Sequence, residues 1–535
     1  MKRSRLIRLL LIVFCFLVWV GICTAQQVTL LHVNDTHSHI DAWGPKDANL
    51  DGTLGGLPKV ATVVGMQRAA DPQALFVHGG DLFHGDPFFN QYFGIPEIQI
   101  LQQLGLNAMA VGNHEFQYGP DFLAFVLSYS MPTYPAPPSF PLVSSNLDFA
   151  NYPYLPWIGS TTLKEVNGVK VGFFGITTPY DVIEQPAPVV VRETLAEDSA
   201  AAVAQLRSQG AQIVVCLCHT GMQVSELLAQ VVPGIDVIVN AHDHVALAEP
   251  KMVVSPTGTT IIVSAGQYYR WVGKLRLNYD GTHVSMVDYS LLSVDENVPA
   301  YPSLQAVVDS LKPEIVARYG DIYHTQIAWA TAPISKEFDP DHIKRDTALG
   351  DLVADAYRNH TGTEIALEAS GFINEDMPPG PIVGADVFRV MSYGIPHMTQ
   401  TGLSIDLFRL ATFRISGAEL IKGLEITLTN TDLYPQISGM RFEMDSRNPP
   451  YQRILLDTVH INGHKLDPTR LYSVTGTEGL VMFLPMMGLE VQDVHILPDT
   501  AYDAIKALVI QRAILDPAYS GRIRDVASIP GKAQK

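Results

Sequence analysis

Five apolar runs in this 535-residue chain stop abruptly at groups that bind cations or move protons. Residues 28–33 run into Asn34-Asp35-Thr36-His37, residues 74–78 into Gly79-Gly80-Asp81, and residues 108–111 into Gly112-Asn113-His114-Glu115. Farther along, residues 212–218 end at His219 and residues 236–240 at Ala241-His242-Asp243-His244. Polar groups at the end of an apolar strand are costly to bury and need a partner. Any one of these ends reads most simply as a capped turn or a histidine satisfied by a carbonyl. Five together read differently. Carboxylates, imidazoles and an amide, without sulfur, are a mixed oxygen and nitrogen donor set suited to divalent ions such as zinc or manganese. Two cations sharing a bridging carboxylate fit the inventory, and such a pair generates a nucleophile from water at neutral pH.

The elements between these ends must bring them together. Helical stretches at 59–70, 96–104 and 193–210 alternate with the strands, a further strand is expected over 142–147, and another over 168–177. Runs at 259–264 and 274–279 finish this half, the second joined to 284–289 as a hairpin through Asp280-Gly281. Alternation of this kind predicts an α/β layered domain over 26–295, and in open α/β sheets binding sites gather beyond the carboxyl ends of the strands. Residues 130–141 carry five prolines and read as a surface loop. A polar break at 295–302 precedes one helix, 303–319, so 296–321 is expected to link the domains. A second, smaller α/β domain follows over 322–531, with helices at 349–360 and 417–427 and a strand at 364–368.

Composition narrows the function classes. With 47% hydrophobic and 17% charged residues the chain reads as globular. Lys2, Arg3, Arg5 and Arg8 precede an apolar run, 9–22, that is short for a membrane span, and Cys23-Thr24-Ala25 resembles a cleavage site. Residues 1–25 therefore read as a secretory signal peptide, which implies a periplasmic or secreted protein with no stable membrane span after cleavage. The net charge of −18 makes the chain a poor ligand for nucleic acid. It also makes bound metal an obvious source of positive charge for an anionic substrate. Cys216 and Cys218, two apart on an expected strand, read as free and mostly buried thiols.

The ordered segments LLHVNDTHSHI, GGDLFHGDP, GNHEFQYG, CHTG and AHDH resemble the binuclear metallophosphoesterases, specifically the secreted 5'-nucleotidase family. TALGDLVADAYR, PPGPIVGADVF and YPQISGMRF look like that family's carboxyl-terminal substrate domain. The resemblance implies a four-layered α/β/β/α domain joined by a helix to the substrate domain. It implies that Asp35, His37, Asp81 and His244 hold one metal, and Asp81, Asn113, His219 and His242 the other. His114 would be the catalytic group that is not a ligand. The reaction would be in-line hydrolysis of a small phosphorylated substrate by a hydroxide bridging the cations, with the two domains rotating about the linking helix.

Three departures bear on this expectation. Gln117 stands where the family usually has an aspartate bonded to the catalytic histidine, and a neutral amide orients an imidazole without stabilising its charge. Glu115 or another acid is a conceivable replacement. Asn374, in Ser370-Gly371-Phe372-Ile373-Asn374, stands where the family has a substrate-binding arginine. Thr477-Glu478-Gly479 and Phe483-Leu484-Pro485-Met486 bring no aromatic to the usual base-stacking position, leaving Tyr434 as a candidate wall. Nucleotides, sugar phosphates, cyclic nucleotides and thiosulfate-type esters stay open as substrates, as does a metal-bearing binding protein of weakened activity. Oligomeric state is not legible.

Overall fold

A computed structural model describes residues 26–129, 139–180, 186–339, 343–399 and 402–528. The expected signal peptide and most of the proline-rich segment lie outside these residues. Among the described residues no helix is long and apolar enough to cross a membrane.

Two sheets face each other in the first half. In the seven-stranded sheet, Gln26–Val33, Leu75–His78, Ala108–Ala110, Leu142–Val143 and Ile158–Gly159 run parallel, and Trp271–Tyr279 and Val284–Ser293 close the other edge antiparallel. The six-stranded sheet holds Val169–Thr177, Ile213–His219, Val237–Ala241 and Gly258–Val263 in parallel, with antiparallel edges. Alternation along the strands decides which layer each side chain enters. Val28, Leu30, Val77, Val215 and Val239 fill the space between the sheets. Leu31, Val33 and Phe76 face outward onto the helices Leu57–Ala70, Ile95–Gln103 and Gly119–Tyr129. Cys216, Cys218 and Ile238 face the helices Leu195–Ser208 and Met222–Val231 on the far side. The result is the four-layered α/β/β/α arrangement. Cys216 and Cys218 are buried and free.

One expected strand is divided. Residues 142–147 do not form a single element: Leu142–Val143 joins the large sheet, while Leu147–Asp148 pairs with Val190–Val191. The polar residues between them break the ladder, because Ser144 Oγ donates to Asn146 Oδ1 and Asn146 Nδ2 donates to the Thr177 carbonyl.

The helix Pro302–Tyr319 lies between the halves and touches both. Lys312 pairs with Asp41 at 2.8 Å on one side, and Arg318 pairs with Asp406 at 2.8 Å on the other. Beyond it, the second domain is built on a five-stranded sheet with Leu471–Thr477 and Arg409–Ser416 near its centre. The helices Ala348–Thr361 and Ala501–Arg512 pack on that sheet.

Charged side chains are buried where the domains meet. Arg389 Nε donates to Asp86 Oδ2 at 2.7 Å and Arg389 Nη1 reaches Asp386 at 3.4 Å, while Lys46 pairs with Asp386 at 2.6 Å. His39 and Glu375 meet at 2.7 Å across the same interface. Removing one partner strands the others without water. Arg389→Leu is therefore expected to lower stability by about 3 kcal/mol or more, read as a fall in Tm.

Candidate metal centre

The five strand ends converge at the carboxyl edge of the two sheets. Asp35, His37, Asp81, Asn113 and His219 are buried there, and His242 and His244 are half-buried. Asp35, His37, Asp81, His242 and His244 all adopt left-handed backbone conformations, with φ between 48° and 87°. Such angles strain a residue with a Cβ, and they concentrate where side chains must be aimed at one point.

The ring nitrogens show what that point accepts. His219 Nδ1–H donates to the Gly79 carbonyl at 2.9 Å, which directs the Nε2 lone pair inward. Nε2 then lies 2.9 Å from Asp81 Oδ2 and 3.0 Å from Asn113 Oδ1, and His242 Nδ1 lies 3.1 Å from that same amide oxygen. These nitrogens and oxygens crowd one point, which a proton on Nε2 or a cation would reconcile. The second cluster repeats the logic: His37 Nδ1–H donates to the Phe83 carbonyl, and His37 Nε2 faces His244 Nε2 at 3.1 Å. Asp35 Oδ1 stands 3.9 Å from His244 Nε2 and 3.9 Å from His219 Nε2. Three groups of potential ligands result, Asp35 with His37 and His244, Asp81 with His219 and His242, and His37 with Asp81 and His114.

Electrostatics point the same way. Burial opposes charge on His219, yet Asp81 raises it to about 10, and His219 in turn holds Asp81 well below the usual carboxylate range despite that residue's own burial. A cation bound at this point would take the proton's place. Burial lowers His37 and His244, keeping both rings neutral as ligation requires, whereas burial and the neighbouring Asp81 raise Asp35 to about 8, so its charge there needs a compensating cation.

Backbone around Asp81 is fixed by a residue that sequence left open. Glu115 is engaged by backbone. Its carboxylate accepts from the backbone N–H groups of Asp81, Leu82, Phe83 and Gly112, at 2.6 to 3.4 Å. Asp81 Oδ1 accepts from the His114 backbone N–H at 2.9 Å. Gly112 is required by this close approach, since a Cβ there would sit 2.1 Å from Asp81 Oδ1. Gly112→Ala is expected to displace that carboxylate and to lower metal uptake by the loaded protein, measurable by elemental analysis.

His114 lies half-buried beside this cluster, its ring 5.0 Å edge-on from that of His37. Its Nδ1 donates to Gln117 Oε1 at 2.8 Å, so the amide occupies the orienting position. The same ring lines a cleft between the domains.

That cleft, of about 310 Å³, is lined by His37, Asp81, Asn113, His114, His242 and His244 from the first domain. Lys336, Ser370, Gly371, Asn374, Tyr393 and Asp432 line it from the second. Asn374 is thus at the cleft. Tyr434 is not brought there: it is 5% exposed, and its ring packs against Phe338 in the second domain's core with its hydroxyl toward Met444. Aromatic surface comes from Tyr393 and Tyr268 instead, neither of which sequence reading selected. Tyr268 follows the strand Gly258–Val263 in a left-handed turn, so the rule that found the other strand ends would have reached it. Gly479 lies beneath Phe408, which stacks on Tyr393 with ring centroids 6.1 Å apart.

Residues 28–246 match the family model of the calcineurin-like phosphoesterases, and residues 326–482 match that of the 5'-nucleotidase C-terminal domain. The trifunctional nucleotide phosphoesterase protein YfkN of Bacillus subtilis is 27% identical over 80% of this chain, which spans only 30% of that protein. The 5'-nucleotidase of Diplobatis ommata is 26% identical over 80% of this chain and 76% of its own length. The fold resembles that of a 5'-nucleotidase precursor from Thermus thermophilus, with a TM-score of 0.79, 24% identity, and coverage of 93% of this chain and 99% of that one.

Proposed function

We propose that this chain, which belongs to the calcineurin-like phosphoesterases that carry a 5'-nucleotidase C-terminal domain, hydrolyses a phosphate monoester of a small metabolite, a nucleotide or a related compound, with two divalent cations. The observation that carries this reading is the convergence of His219 Nε2, Asp81 Oδ2, Asn113 Oδ1 and His242 Nδ1 within about 3 Å of their neighbours. Asp81, Asn113, His219 and His242 would hold one cation, and Asp35, His37, Asp81 and His244 the other. Zinc or manganese suits these nitrogen and oxygen donors. Two cations held by these residues would supply a water activated as the nucleophile and charge to neutralise the phosphoryl oxygens.

The chain's own residues supply the rest. His114, held through Nδ1 by Gln117, presents Nε2 to the cleft, where the imidazolium stabilises phosphoryl charge and gives its proton to the departing oxygen. Asn374 and Ser370 offer neutral polar contacts to the substrate's remainder, and Lys336 a positive one. Tyr393 and Tyr268 offer apolar surface. The signal-like residues 1–25 support action outside the cytoplasm.

Elemental analysis of protein loaded with manganese or zinc is expected to find two ions per chain, and chelation to lower Tm. Turnover of a generic aryl phosphate under the same loading tests the activity. A parallel panel of nucleoside monophosphates and sugar phosphates then ranks substrates. Protein that binds no transition metal under any loading would overturn the proposal.

A further inference from the structure

His84 is a buried histidine beside the cleft that the mechanism above does not use. It sits three residues past Asp81, in a left-handed turn with φ of 71°, and its ring lies nearly parallel to that of His114 with centroids 5.3 Å apart. Both ring nitrogens are engaged. Nδ1 is 3.3 Å from Gln117 Nε2, and Nε2 is 2.9 Å from Asn374 Nδ2 and 3.3 Å from Ser392 Oγ. Gln117 belongs to the first domain, whereas Asn374 and Ser392 belong to the second.

We propose that His84 is a positioning residue for His114, acting through Gln117, and that its contacts with Asn374 and Ser392 tie the alignment of His114 to the docking of the second domain. The argument is one of donors and acceptors. A glutamine amide has two ends of nearly equal shape, and only the oxygen accepts from His114 Nδ1–H. With the amide reversed, its NH₂ would face Nδ1 and the doubly protonated ring would lose its acceptor. His84 prevents the reversal by offering Nδ1 as acceptor to Gln117 Nε2.

A neutral imidazole has one acceptor nitrogen, so Gln117 and Asn374 cannot both donate to it. With Gln117 donating, His84 carries its proton on Nε2, so the Asn374 amide, whose nitrogen lies 2.9 Å from Nε2, must turn over to set its oxygen against that N–H and the Ser392 hydroxyl. The direction of every bond from Ser392 to His114 then follows from one requirement, that His114 keep an acceptor at Nδ1. Burial and the neighbouring His114 hold His84 well below the ordinary histidine range, which keeps it neutral.

This assignment rests on the hydrolase reading, and the test separates the two. Wild type and variants are compared on an aryl phosphate, whose leaving group needs no proton, and on an alkyl phosphate, whose leaving group does. Metal content and Tm are measured on each. His84→Ala is expected to lower kcat on the alkyl ester by about 10-fold or more, to change the aryl rate and KM by less than about threefold, and to keep its metal. His84→Asn restores an acceptor facing Gln117 and is expected to recover most of the alkyl rate. In a Gln117→Glu background, where either oxygen accepts from His114, the cost of His84→Ala is expected to shrink to within about threefold. An equal loss on both esters, or an undiminished loss in the Gln117→Glu background, would overturn the role of His84. A wild type that turns over neither ester when metal-loaded would instead remove the hydrolase reading.

Discussion

Asp81→Ala is expected to lose turnover by about 10³-fold or more and to bind at most one cation per chain. Asp81 Oδ2 lies 2.9 Å from His219 Nε2 and 4.0 Å from His37 Nε2, which belong to different ligand groups. Its other oxygen holds the backbone N–H of His114. Alanine therefore removes the shared ligand, the charge that offsets two cations, and an anchor of the catalytic segment in one step. Asp81→Asn separates these contributions, because the amide keeps the volume and an oxygen for the His114 N–H while losing the charge. Its metal content is expected to fall nearly as far as that of the alanine variant, with a smaller change in Tm. A variant of either kind that retained two ions and full turnover would exclude Asp81 as the bridge.

The parts of this centre that were legible in sequence share a physical cause. A parallel strand buried on both faces is apolar throughout, so a histidine or aspartate at its end is conspicuous. Asp35, Asp81, His219 and His242 stand out for that reason alone. The layered α/β class followed from strands alternating with helices, whereas the order of four layers was implied by the resemblance. What stayed hidden depends on contacts between segments distant in sequence. That Tyr434 packs under Phe338 follows from how Pro435–Ser438 pairs with Ile365–Ala369, which no local pattern records. Residues 142–147 looked like one strand because their apolar ends masked the side-chain bonds of Ser144 and Asn146. Gln117 could be read as an amide able to orient His114. The group that orients Gln117 could not, since His84 becomes its neighbour only when the turn after Asp81 folds against the segment 114–117.

His114→Ala carries the second large effect. On an alkyl phosphate the loss is expected to be about 10²- to 10⁴-fold, with both cations retained. On an aryl phosphate the loss is expected to be smaller, because a stable phenolate leaves without a proton and only the stabilisation of phosphoryl charge is forfeited. Gln117→Glu tests the same site from the other side. A carboxylate facing Nδ1 adds Coulombic stabilisation to the imidazolium that the amide at 2.8 Å lacks, so turnover of the alkyl ester is expected to rise several-fold while the aryl rate stays nearly constant. The competing arrangement is also explicit in the geometry, since His114 falls within ligand distance of His37 and Asp81. If His114 served there as a ligand, its removal would lower metal content and reduce both esters alike. Metal content and leaving-group dependence, measured on the same preparation, therefore decide between a proton donor and a ligand.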